Sequence, residues 1–309
     1  MFTLLQWSDA HAKTNNVTAT QNAISSAAVD AVVNCGDLVD QYFESGIANI
    51  NLTKTLCVVG NHDAILQAGT TGSIYQWSMQ PTQTQLRERY IAPLIKNLGV
   101  SSPDGSTWWK KLVNGIMLVG INDTLIKKNL VDAQLSWFRS VLSECVANDY
   151  KVVVIKHGPS RYTKLLDCNF TCKKAFEKKS AEIEEYASAY PQFDACIGEL
   201  VTTSAKILCV IHGHDHYDAF GYITKVDTTK IPVIGINSTQ VDYWGDLARS
   251  TNPLDSTSIV MNQIEYDSNV DSLRVYRLGA NGSAIGCYRK MLVHSYSANG
   301  VVTTCSNRG

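Results

Sequence analysis

The chain has 309 residues, enough for one large domain or two small ones with an ample buried core. Apolar residues make up 45% and charged residues 18%, a globular balance, and the net charge of −1 sets up no global field to draw nucleic acid or an anionic membrane. No apolar run approaches a membrane span, Met1 to Trp7 carries no secretory leader, and nine cysteines without a Cys-x-x-Cys pair fit a reducing compartment, so the expectation is a cytoplasmic protein.

Residues 2–7 read as a buried strand that ends at Ser8-Asp9-Ala10-His11. Residues 17–29 have helical spacing, with Asn15 and Asn16 as caps. The apolar runs 31–35 and 56–59 stop at Gly36-Asp37-Leu38-Val39-Asp40 and Gly60-Asn61-His62-Asp63. Cys35, Cys57 and Cys209 sit in such runs as small hydrophobes, whereas Cys168 and Cys172 lack companions for a metal site. Residues 64–105 look like a variable insertion with a helix over 84–98, and 158–200 like a second insertion. Asn114-Gly115 joins strands 107–113 and 116–121 as a hairpin. Residues 132–147 form an amphipathic helix with Leu135, Phe138, Val141 or Leu142, and Cys145 on one face. A strand over 152–155 leads into Lys156-His157-Gly158-Pro159, and a helix follows over 173–190. The strand 207–212 runs into Gly213-His214-Asp215-His216, and further strands read over 219–223, 231–236, 259–264 and 272–276. Alternating strand, polar loop and helix point to an α/β domain over 1–280, with 281–309 as a C-terminal extension.

Five strand ends thus carry donors for a metal: Asp9 and His11, Asp37, Asn61 and His62, His157, and His214 with His216. Each alone has a plain structural alternative, since Asp9 suits a helix cap, Asp37 a turn and His157 a core position. Open α/β sheets gather ligand sites at the carboxyl ends of strands, and five coincidences there favour one shared centre. Carboxylate, amide oxygen and imidazole together suit Mn²⁺, Fe²⁺/Fe³⁺, Zn²⁺ or Co²⁺ rather than soft copper, and the donors are too many for one four-coordinate ion.

Asp-x-His, Gly-Asp-x-x-Asp, Gly-Asn-His-Asp, a lone histidine after a strand and Gly-His-x-His, in this order, resemble the calcineurin-like metallophosphoesterases. The resemblance covers about residues 1–280 and implies a four-layer αββα sandwich, two mixed sheets flanked by helices. It implies one ion on Asp9, His11, Asp37 and His216, and a second on Asp37, Asn61, His157 and His214, with Asp37 as the bridge. By the same resemblance, a hydroxide between the ions attacks phosphorus, and His62 contacts the phosphate and protonates the leaving group. Asp40 matches the carboxylate that orients this histidine, with Asp63 a weaker candidate; His212 and Asp215 would support neighbouring ligands.

Departures narrow the family. Gln41 stands where protein phosphatases carry a phosphate-gripping arginine, and those enzymes lack the paired histidines of Gly-His-x-His. Asp40 stands where purple acid phosphatases place a metal-binding tyrosine. The expected activity is hydrolysis of a phosphodiester, or a monoester, in a small or nucleotide-like substrate, with no membrane partner. A nuclease is the alternative, disfavoured because the paired lysines at 110–111, 127–128, 173–174 and 178–179 make no clear basic groove. A binding module that has lost its chemistry fits less well, since every ligand position is filled.

Overall fold

Two mixed sheets lie face to face in the computed structural model, which describes residues 1–11, 14–39, 53–64, 66–68, 74–76, 80–166, 194–214, 219–236, 260–279, 290–296 and 303–307. Asp40, Gln41, Cys168, Cys172, Asp215, His216 and the expected helix over 173–190 lie outside the described residues. The strands are β1 (Phe2–Trp7), β2 (Ala31–Asn34), β3 (Leu56–Cys57), β4 (Leu66–Ala68), β5 (Ile74–Gln76), β6 (Trp109–Val113), β7 (Ile116–Gly120) and β8 (Lys151–Ile155). They continue with β9 (Lys164–Leu165), β10 (Ile207–His212), β11 (Ala219–Thr224), β12 (Lys230–Gly235), β13 (Val260–Asp267), β14 (Ser272–Gly279), β15 (Lys290–Ser295) and β16 (Thr303–Asn307).

The first sheet has the order β16-β15-β14-β13-β1-β2-β3, and the second β6-β7-β8-β10-β12-β11-β9; β4 and β5 form a small ribbon. In the first, β1, β2 and β3 are parallel, while β13 to β16 add an antiparallel meander. β15 and β16, both past residue 280, therefore continue this sheet. In the second, β7, β8, β10 and β12 are parallel, and antiparallel β6 and β11 flank them. All five strands that precede the expected ligands are parallel members, so their carboxyl ends meet along one edge of the sandwich.

The period of two along β8 explains the layering. Val153 and Ile155 face a core shared with Leu4, Leu5, Ile264 and Val275 of the first sheet. Val152 and Val154 face the other way, under Phe138 and Leu142 of α4 (Lys128–Ala147) and Ile197 and Leu200 of α5 (Ala195–Thr202). Among the described residues, the two remaining helical segments are α1 (Thr14–Ser26) and the stretch from α2 (Gln83–Leu86) to α3 (Ala92–Leu98). Thr82 opens that stretch with a capping box: its Oγ1 accepts from the Gln85 N–H at 3.2 Å, and Gln85 Oε1 accepts from the Thr82 N–H at 2.8 Å. Between α2 and α3 the chain makes a π turn over Arg87–Ile91. Pro93 explains it: a proline offers no N–H and its ring crowds the carbonyl of residue 89, so the turn ahead of it widens.

Direct hydrogen bonds tie the sheets together. Gln6 of β1 is fully buried, and its Nε2 donates to His212 O at 3.1 Å and Ile234 O at 3.2 Å across the sandwich. Asn262 Nδ2 donates to Gln6 Oε1 at 3.1 Å, completing the amide. Trp109 Nε1 of the second sheet donates to Cys57 O of the first at 2.7 Å. Among the described residues no helix is long and apolar enough to cross a membrane.

Candidate metal centre

The turns at the strand ends are tight enough to force unusual backbone. Asp9, His11, Asp37 and His214 all have positive φ, at 53°, 46°, 52° and 72°. Such values are uncommon outside glycine and persist where the surroundings over-determine them. Glycines supply the close approaches: a Cβ on Gly60 would lie 2.1 Å from Asp37 Oδ1, and one on Gly213 would lie 1.8 Å from Ser8 Oγ. Backbone bonds link the loops directly, with Asp9 N–H donating to Gly36 O at 3.1 Å, His11 N–H to Asp37 O at 3.1 Å and Gly213 N–H to His157 O at 2.9 Å.

One group of donors converges closely. Asn61 Oδ1 lies 2.8 Å from His157 Nε2 and 2.9 Å from His214 Nδ1. His157 Nε2 lies 3.2 Å from both His214 Nδ1 and Asp37 Oδ2. A carbonyl can only accept, so the 2.8 Å contact of His157 Nδ1 with Cys35 O puts the proton on Nδ1 and turns the Nε2 lone pair toward the cluster. Donors held about 2.0–2.2 Å from a zinc-sized ion lie ~3–3.5 Å from one another. Asp37, Asn61, His157 and His214 therefore fit one metal ion in spacing, donor chemistry and tautomer.

A second group gathers on the other side of Asp37. His11 Nε2 is 4.0 Å from Asp37 Oδ2, the His11 and His62 rings meet edge to face at 4.6 Å, and ligand atoms of all three residues lie within 4.8 Å of one another. The Asp9 carboxylate receives the His214 N–H at 3.2 and 3.1 Å to its two oxygens, which ties the loop after β1 to the His214 turn. Asp37 thus stands between two sets of donors, and its other oxygen accepts the His62 N–H at 2.9 Å.

Electrostatics match a place built for positive charge. Burial opposes ionisation of Asp37, yet the His157, His62 and His11 imidazoles hold its carboxyl well below the usual carboxylate range. Burial likewise opposes a charged His157, but the carboxylates of Asp37, then Asp9 and Asp123, lift it to about 10. Asp63 is pushed up to about 7 by burial and by the charge of Asp37. It accepts the Val39 N–H at 3.2 Å, the Gly60 N–H at 2.9 Å and the Tyr90 hydroxyl at 3.0 Å, so one carboxylate ties the Asp37 loop to the Asn61 loop. His212 is buried, with its carbonyl receiving Gln6 and the Ile236 N–H at 3.1 Å.

Sequence reasoning passed over a buried charged group behind His157. Lys156 is 1% exposed, and its ammonium lies 3.4 Å from Asp123 Oδ2 and 3.8 Å from Asp194 Oδ1. The available signal was a lysine directly continuing the apolar run of β8, which needs a carboxylate if it is buried.

A family model for calcineurin-like phosphoesterases matches residues 2–218, and the chain belongs to that family, whose members are metal-dependent phosphoester hydrolases. No curated protein sequence matches it. Among solved structures it is similar to a predicted phosphoesterase from Streptococcus pneumoniae TIGR4, with a TM-score of 0.33 and 11% identity over 99% of this chain and 98% of that one. It is also similar to a purple acid phosphatase from yellow lupin (Lupinus luteus) seeds, with a TM-score of 0.47 and 12% identity over 94% of this chain and 53% of that one.

Proposed function

We propose that the protein is a dinuclear phosphoesterase acting on phosphodiesters in preference to monoesters. The observation that carries the reading is the position of Asp37, which belongs to two groups of donors, one with Asn61, His157 and His214 and one with His11 and His62. Asp37, Asn61, His157 and His214 would hold one ion; Asp9, His11, Asp37 and His216 would hold the other. Mn²⁺, Fe²⁺/Fe³⁺, Zn²⁺ and Co²⁺ all suit these donors. Bound there, the pair of ions lowers the pKa of water and draws charge from the phosphoryl oxygens.

The chain's own residues do the remainder. His62 would contact a phosphoryl oxygen and give a proton to the leaving group, a role supported by its half-buried position beside His11 and its backbone bond to Asp37. Asp40 would orient that ring and keep it protonated. The preference for diesters rests on Gln41, which brings no fixed positive charge to grip the dianion of a monoester.

The test is metal content and hydrolysis together. Purified protein loaded with Mn²⁺ should bind two ions per chain and cleave bis-p-nitrophenyl phosphate faster than p-nitrophenyl phosphate. His62→Gln should keep both ions while kcat falls about 10²–10⁴-fold, and Asp37→Ala should lose both. Loss of an ion in His62→Gln would make His62 a ligand, and an unchanged rate in either variant would defeat the mechanism. Cyclic nucleotides and DNA belong in the same assay, and faster cleavage of DNA would replace the small-substrate reading with a nuclease.

A further inference from the structure

The peptide unit between His157 and Gly158 is held at both ends. Its carbonyl accepts the Gly213 N–H at 2.9 Å, and its own N–H donates to Asp123 Oδ2 at 2.8 Å. Asp123 sits just past the end of β7 and is 1% exposed, so this is a buried, charge-assisted bond. Lys156 pairs with that carboxylate at 3.4 Å, and its ammonium also donates to Pro159 O at 3.1 Å, two residues past the histidine. Asp194, at the start of α5, neighbours the ammonium at 3.8 Å and accepts the Arg161 N–H at 3.0 Å. The loop that presents His157 is thus stitched to β7 on one side and to α5 on the other.

We propose that Asp123, steadied by Lys156, is a positioning residue for the metal centre: by fixing the His157–Gly158 peptide plane it sets His157 and, through the Gly213 N–H, His214. The inference rests on the metal-centre reading above. Asp123 makes no hydrogen bond to a donor atom; beyond the pull of its charge on His157, its hold on the centre passes through backbone. An asparagine in its place still offers an oxygen to the Gly158 N–H, whereas an alanine does not.

The experiment measures Zn²⁺ affinity by competition with a chromophoric chelator, and the visible spectrum of the Co²⁺-loaded protein. Circular dichroism on the same samples establishes that each variant is folded. Asp123→Ala should weaken one of the two ions about 10–100-fold, the usual size of a lost supporting contact, and change the Co²⁺ spectrum. Asp123→Asn should restore both ions to within about threefold of wild type, consistent with a kept backbone bond. A folded Asp123→Ala that binds both ions normally overturns the inference, and so does an Asp123→Asn as weak as the alanine variant. Should Asp123→Ala fail to fold because it strands the buried ammonium, the comparison moves to Asp123→Ala/Lys156→Met against Asp123→Asn/Lys156→Met. The same gap is expected there, and its absence again overturns the inference. A wild-type chain that takes up no transition metal would instead overturn the metal-centre reading itself.

Discussion

Strain and close contact at single residues are concentrated around Asp37. Four of the eight non-glycine residues with positive φ among the described residues are Asp9, His11, Asp37 and His214, and each such residue costs on the order of 1 kcal/mol or more to hold. Gly213 has no room to yield, because Ser8 Oγ and Asp9 Oδ2 would lie 1.8 and 2.5 Å from its Cβ. Gly213→Ala should therefore push the His214 turn away from β1, lower stability by about 1–3 kcal/mol in urea unfolding and weaken metal uptake. Adding Ser8→Gly should recover part of the stability, and an unchanged midpoint in the single variant would mean that the two loops separate freely. The candidate donors were legible in the sequence only as a set: each has a plain structural alternative, but five in a row follow an apolar run. Asp123, Lys156 and Asp194 were not. Their attraction spans tens of residues, and no periodicity links a lysine in one strand to a carboxylate in another loop.

Elements differed in how much local chemistry announced them. Asn114 and Gly115 take φ of 50° and 78°, so the expected hairpin turn was readable from its dipeptide. The helix expected over 84–98 is interrupted by a π turn, and α4 begins four residues ahead of the expected 132. Neither detail follows from apolar spacing, since Pro93 acts through a neighbouring carbonyl and the first turn of α4 has no capping side chain. β15 and β16 were the hardest to see, because Thr303–Asn307 is polar and only its pairing with β15 makes it a strand. His294 of β15 is fully buried, and burial lowers its pKa to about 4. A histidine depressed when folded stabilises the fold above its unfolded pKa of about 6.5, and the benefit is lost as pH falls through the folded value. The wild type should lose about 2–3 kcal/mol between pH 7 and 4.5 beyond what His294→Gln loses, measured by urea midpoints at both pH values. Equal losses in the two proteins would show that His294 does not carry the acid sensitivity.

Across the molecule, the candidate metal centre draws its donors from both sheets, so on the proposed reading their relative placement is a functional quantity. Asp9, His11, Asp37, Asn61 and His62 hang from β1, β2 and β3, whereas His157 and His214 hang from β8 and β10. Apolar contact in the shared core is non-directional and does not set this alignment to a fraction of an ångström. Gln6 supplies direction: it reaches from β1 to the carbonyls of His212 and Ile234, immediately beneath the Gly213–His214 turn. The strand alternation in the sequence indicated an α/β class, but the strand order, the division into two sheets and this buried amide depend on pairings far apart in the chain. Gln6→Met keeps the volume while removing four hydrogen bonds, including the one to Cys35 Sγ and the one from Asn262. It should cost about 1–3 kcal/mol in stability, because the Asn262 amide that donated to Gln6 stays buried and loses that acceptor. If the amide also aligns the sheets, the affinity for the ion shared by Asn61, His157 and His214 should fall several-fold in protein that remains folded. Unchanged metal affinity beside the lower stability would confine Gln6 to holding the sandwich together.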